Sequence, residues 1–263
     1  MAPWARGARL VSVAAFVLSG VLGAGTARAQ EGRGHLDLDA TRALGGRGYL
    51  ELDAGYKTGD FGTLTTSSLF FLSPTLGYVA PRFDVSVTAP LLSLTEKTSG
   101  SSTTETGLGD VVLRAGAVLL AETSGGLSIN GAAAVKLPTA DETKRLGTGQ
   151  TDYGVFAGLY QRLLGLKFSL KGGYIVTGDP SGTTYKDIPL AGIGVSKVFG
   201  MTNVFAALEG RGATVSGAKD PLEASLGAFH ILSRDYSLAG SVTFGLNNGG
   251  PAFGATIGVV RWL

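Results

Sequence analysis

From Thr106 to Gln161 the sequence reads TGLGDVVLRAGAVLL (106–120), AETSGG (121–126), LSINGAAAVKL (127–137), PTADETKRLGTGQ (138–150) and TDYGVFAGLYQ (151–161). In the first run Val111, Leu113, Ala115, Ala117 and Leu119 are apolar, and Asp110, Arg114 and Gly116 fall between them. In the third, Leu127, Ile129, Gly131, Ala133, Val135 and Leu137 form the apolar set, with Ser128, Asn130 and Lys136 on the other face. Successive side chains of a strand point to opposite faces, so a period of two makes one face apolar and the other polar or small. Each run is about 10 residues long, roughly what a tilted strand needs to cross the hydrocarbon layer of a membrane. The pattern predicts an all-β chain, a transmembrane antiparallel up-and-down barrel.

Composition agrees. Of 263 residues 42 are glycine and only 16% are charged, with a mean hydropathy of +0.25. A barrel turns its apolar face to lipid, so it does not have to bury that face in a core. The net charge of +2 leaves no footprint for nucleic acid, and the two signs are interspersed along the chain. Cysteine is absent, which excludes thiolate metal sites and disulfide scaffolds.

Residues 1–29 read as a cleaved signal peptide. Arg6 and Arg9 supply the positive start, Leu10 to Leu22 the apolar stretch, and Ala27-Arg28-Ala29 an A-x-A cleavage site. Residues 30–46, polar and rich in Gly and Arg, are expected to form a periplasmic N-terminal arm, and residues 47–263 the barrel. No later stretch approaches the roughly 18 apolar residues of a membrane helix. The expected location is therefore the outer membrane of a Gram-negative bacterium. Outer-membrane lipid and lipopolysaccharide, and the barrel-assembly machinery during biogenesis, are the expected partners.

The alternation places about twelve strands, at 48–58, 69–79, 83–92, 107–120, 127–137, 151–163, 166–177, 186–198, 203–212, 222–232, 236–246 and 252–263. Connections after the even strands are short. Those after the odd strands are mostly longer and rich in Ser, Thr, Gly and Asp, as in 93–105 and 138–150. Tight turns on the periplasmic side and long external loops make that alternation. The long external loops, such as Ser93 to Glu105, are the candidate gates. Trp262, one place before the C-terminus, reads either as a displaced terminal aromatic or as a residue of the interfacial belt.

Gly107-Leu108-Gly109-Asp110, Lys136-Leu137-Pro138-Thr139 and Leu146-Gly147-Thr148-Gly149-Gln150-Thr151-Asp152, in that order and spacing, resemble the outer-membrane family labelled "putative MetA-pathway of phenol degradation". The motifs span about Gly107 to Gly158. The resemblance implies a transporter-like barrel passing aromatic or other hydrophobic compounds. The same residues also have a structural reading, as turns, bulges and a strand-ending proline. Asp110 and Asp152, both expected near the outer rim, could jointly hold a cation.

Strand parity nominates lumen-lining residues: Glu51, Asp53, Lys57, Asp84, Asp110, Arg114, Lys136, Asp152, Arg162, Lys167, Lys171, Glu209, Arg211 and Glu223. Charges are expensive against lipid, so their face must be wet. They could pair and fill space, or set basic middle strands against acidic first and later ones as a transverse field. Catalysis is not expected. His35 and His230 are the histidines, too far apart for a metal site and without a serine partner, and no nucleophile elbow or P-loop occurs. No cofactor is expected. The reading is a passive channel or facilitator for small molecules, with a non-conducting structural, adhesive or receptor barrel as the alternative.

Overall fold

The computed structural model describes residues 46–61, 65–180 and 184–263. The predicted signal peptide, and the arm up to residue 45, lie outside the described residues. The strands are β1 (Arg47–Gly59), β2 (Thr66–Val79), β3 (Phe83–Thr88), β4 (Leu91–Thr98), β5 (Ser101–Leu108), β6 (Val111–Leu120) and β7 (Leu127–Leu137). They continue with β8 (Asp152–Leu163), β9 (Leu166–Val176), β10 (Ile188–Phe199), β11 (Thr202–Arg211), β12 (Leu222–Ile231), β13 (Tyr236–Gly245) and β14 (Phe253–Trp262). Every pairing is antiparallel, and β1 pairs with β2 on one side and β14 on the other, so the sheet closes on itself. Closure removes the open edge that neither lipid nor water would tolerate.

Among the described residues the closed wall counts twelve strands, because β3 with β4, and β5 with β6, are each one wall strand in two pieces. The second half of β2 pairs with β3 and its first half with β4. β6 then pairs with β3, and β5 with β4. The breaks fall at Ala89-Pro90 and Gly109-Asp110 and are stitched together, the Gly109 amide donating to the Pro90 carbonyl at 2.7 Å. Proline has no amide proton for the ladder, which explains the interruption at Pro90.

This corrects the reading of 93–105 as an external loop: it belongs to the β4–β5 hairpin, closed by Ser99 and Gly100, whose φ is +89°. The segment is rich in β-branched threonine, which favours strands. It projects beyond the part of the wall that carries the apolar alternation, so it lacks the pattern by which the other strands are read.

The two faces of the wall differ as the alternation requires. Leu50, Leu52, Tyr56, Leu76, Leu113 and Ile257 stand exposed on the outside. On the inside, aromatic rings lie across glycines directly opposite on the neighbouring strand. Tyr49 pairs with Gly77 and Phe71 with Gly55, while Phe156 pairs with Gly173 and Phe205 with Gly227. A Cβ on Gly77 would come within 2.2 Å of the Tyr49 ring, and one on Gly55 within 2.2 Å of Phe71. Glycine here is the platform that lets a large ring lie flat against the wall.

Three buried apolar clusters line the inner face. Phe61, Leu69, Leu92, Leu94 and Leu146 form one, packed against Phe71. Val112, Ala134, Ile175 and Ile188 form the second, with Phe156 and Leu190. The third, at the short-turn end, holds Tyr49, Val79, Phe229, Val260 and Trp262. Trp262 is therefore not a residue of the interfacial belt. It is buried inside with its ring centroid 5.7 Å from that of Tyr49, and its indole N–H donates to Ser237 Oγ at 3.3 Å. Its parity is set by register, since it stands opposite Tyr49 and shares that face.

Candidate functional site in the barrel mouth

The long β7–β8 connection, from Pro138 to Thr151, folds over the inner face at the long-loop end of the barrel. At the β5–β6 break, Thr139 Oγ donates to the Gly109 carbonyl and accepts from the Val111 amide. The Ala140 amide donates to Asp110 Oδ1 at 3.0 Å. A 3₁₀ turn (Glu142–Lys144) follows, capped by Asp141. Hydrogen bonds from the Thr143 hydroxyl, and then from backbone amides, hold the Asp141 carboxyl below its usual pKa. Arg145 pairs with Glu96 of β4, and Leu146, 0% exposed, drops onto the inner face of β2 and β4.

Beneath this loop lies a buried ionic knot. Lys136 Nζ is 3.1 Å from Asp110 Oδ2 and 3.0 Å from Asp152 Oδ2, and it donates to Thr148 Oγ1 at 2.7 Å. The ammonium thus has three oxygens within 3.1 Å, of which Thr148 Oγ1 accepts a hydrogen bond. Each carboxylate uses its other oxygen elsewhere: Asp110 on Ala140, and Asp152 on the Gly178 amide at 2.9 Å. The knot thus ties β7, β8, the β5–β6 break and the loops on both sides of β8–β9. Tyr185 packs nearby; burial, and then the Asp152 charge, push its phenol pKa up. The glycines of the motif serve this packing. A Cβ on Gly107 would lie 2.9 Å from Leu146 Cδ1, and one on Gly147 would lie 2.7 Å from both Asp110 carboxylate oxygens.

The position between Asp110 and Asp152 where a free cation could sit is taken by the ammonium of Lys136. Among the described residues no group of three or more His, Cys, Asp or Glu comes together as a metal site. His230 stands on the outer face near a turn, its Nδ1 2.8 Å from Thr202 Oγ1.

The remaining nominated residues lie apart from the knot along the inner wall. Glu51, Asp53 and Lys57 alternate along β1, and Lys57 is buried. Asp84 pairs with Arg114 on the adjacent strand. Arg162 pairs at 2.9 Å with Glu122 of the β6–β7 turn. Lys167 Nζ lies 4.7 Å from the Tyr160 ring centroid, and Lys171 stands opposite Gly158 and Gly192. Glu209 faces Glu223, and Arg211 relieves that opposition by reaching Glu223 at 2.7 Å. The pairs of Arg114, Lys136, Arg162 and Arg211 run along the wall between near neighbours, which is the first of the two arrangements open to these charges, local pairs, and not a transverse field.

Sequence reasoning met Leu146 and Thr148 only as members of the family motif and passed over Arg145 and Glu96, together with the inner aromatics Tyr49 and Phe71. One signal was present: Leu146 is the only strongly apolar residue between Pro138 and Gln150.

The family described as "Putative MetA-pathway of phenol degradation" matches residues 41–196. No curated protein matches the chain. Among solved structures, the translocator domain of the autotransporter NalP from Neisseria meningitidis is 14% identical, with a TM-score of 0.52 over 92% of this chain and 99% of that one. The NanC porin is 14% identical, with a TM-score of 0.52 over 81% and 100% of the two chains. The KdgM porin in complex with disordered oligogalacturonate is 11% identical, with a TM-score of 0.51 over 81% and 98%. At such identities the likeness establishes the fold, a closed antiparallel barrel.

Proposed function

The chain belongs to the family described as "Putative MetA-pathway of phenol degradation", and on that premise we propose that it is an outer-membrane channel for passive uptake of small apolar or aromatic molecules. The observation that carries this reading is the inner face. A barrel interior that passed only ions would need no buried apolar clusters, yet three line this one, with rings laid flat over glycines. The partly buried rings of Phe71 and Phe156 give such a solute a surface to follow, and the paired charges between them keep the lumen wet without a strong field. The barrel itself performs no chemistry; it offers a route past the lipopolysaccharide leaflet. Export by cleavage after Ala29, a periplasmic arm up to residue 46 and insertion by the assembly machinery complete the proposal.

The test is toluene influx into vesicles with a lipopolysaccharide outer leaflet. Protein-bearing vesicles should fill faster than empty ones, and equal rates would overturn the reading. One observation favours the alternative of a non-conducting barrel: Leu146 and its loop occupy the mouth. That alternative predicts equal rates.

A further inference from the structure

We infer that the apolar seat under Leu146 is the first binding site for the solute, with Leu146 as its resident occupant. The inference rests on the channel reading and deepens it by naming where the solute docks. The seat is two rows of inner-face residues. Across β1, β2, β4 and β5, Gly55, Phe71, Leu92 and Gly107 stand opposite one another in one row, and Lys57, Leu69, Leu94 and Glu105 in the next. Both glycines lie in the Phe71–Leu92 row. Gly55 gives way to the Phe71 ring, and Gly107 leaves the space that Leu146 Cδ1 fills. The result is a ring, three leucines and Phe61 packed around a hollow that one hydrocarbon side chain, that of Leu146, fills.

What fills the hollow is a loop side chain and not a wall side chain. Around Leu146 the loop is otherwise held by the contacts from Lys144 to the Thr106 carbonyl at 3.4 Å and from Arg145 to Glu96, while the buried Lys136–Thr148 hydrogen bond at 2.7 Å anchors it below. Polar contacts at a mouth exchange readily for water, whereas a leucine leaving an apolar seat needs an apolar replacement. A single-ring hydrocarbon buries about as much apolar surface there as leucine does, so the two compete on near-equal terms. Binding of the solute and lifting of the loop are then one event: the molecule that takes the seat also unblocks the mouth.

The chain has no cysteine, so one introduced thiol reports its own site. Leu146→Cys, in purified protein in lipid vesicles, should react slowly with a charged, membrane-impermeant thiosulfonate, and toluene should speed the reaction about tenfold by displacing the loop. Ser99→Cys, at the hairpin tip, controls for general loosening and should not respond. Should Leu146→Cys misfold, Leu94→Cys in a Leu146→Ala background reads the seat from the wall, and toluene should protect it. Labelling of Leu146→Cys that ignores toluene overturns the inference, as does unprotected Leu94→Cys. Toluene influx with toluene-blind labelling overturns the seat and leaves the channel standing; toluene-sensitive labelling without influx keeps the seat and overturns the channel.

Discussion

Lys136 stands directly opposite Asp152 on the neighbouring strand, and its ammonium lies 3.0 Å from that carboxylate with both side chains almost wholly buried. The pair is completed by Asp110 at 3.1 Å. Removing one member of such a group leaves the others charged and unsolvated, which costs far more than the intact group contributes.

Lys136→Met should therefore destabilise the barrel by about 3–5 kcal/mol, read as a lowered urea midpoint. Adding Asp110→Asn and Asp152→Asn removes the orphaned charges and should recover most of the loss. A single variant as stable as wild type would show that the knot is solvated and of little consequence.

Arg145 and Glu96 make the contrasting case. The Arg145 side chain is 30% exposed and that of Glu96 10%, so water reaches the pair from the arginine side, and Arg145→Gln should cost clearly less than Lys136→Met. A loss as large as that of Lys136→Met would mean that this pair, and not the buried knot, anchors the loop.

The flat packing of Tyr49 on Gly77 predicts that Gly77→Ala drives the ring off the wall, costing about 1–3 kcal/mol and lowering single-channel conductance in a planar bilayer. The clash is specific to the pair. Tyr49→Ala should thus cost less in the Gly77→Ala background than in wild type. Additive costs would show that the ring does not rest on the glycine.

Between β8 and β9 the turn is Leu164-Gly165, with φ values of +53° and +74°. Two positive φ angles define the hairpin turn that favours Asn-Gly, and a leucine there is strained by about 1 kcal/mol. Leu164→Asn should raise the urea midpoint by a corresponding amount; an unchanged or lower midpoint would contradict the turn assignment.

The barrel was legible in sequence wherever lipid imposes alternation, as along β1, β6 and β7. It was not legible where that constraint lapses. The β4–β5 hairpin rises past the alternating part of the wall, so Ser101 to Thr106 carry polar side chains on both faces and resemble a loop. Parity found Asp110, Lys136 and Asp152 one by one, but which of them meet depends on a loop fold that has no periodicity. The packing role of Leu146 was hidden for the same reason: the motif names it, but in a polar connection a single leucine has no periodicity to say which way it points, and its importance appears only when the chain turns it inward. For Trp262 the belt reading failed because amphipathic rings are as suited to a lumen as to a membrane boundary, and only register distinguishes the two.

The most direct test of the central claim is uptake of radiolabelled toluene by Gram-negative cells in which this protein is the sole variable. Cells carrying the wild-type chain should take up toluene faster than cells lacking it, and Gly77→Ala should fall between them. Identical initial rates with and without the protein, at verified surface expression, would contradict the account.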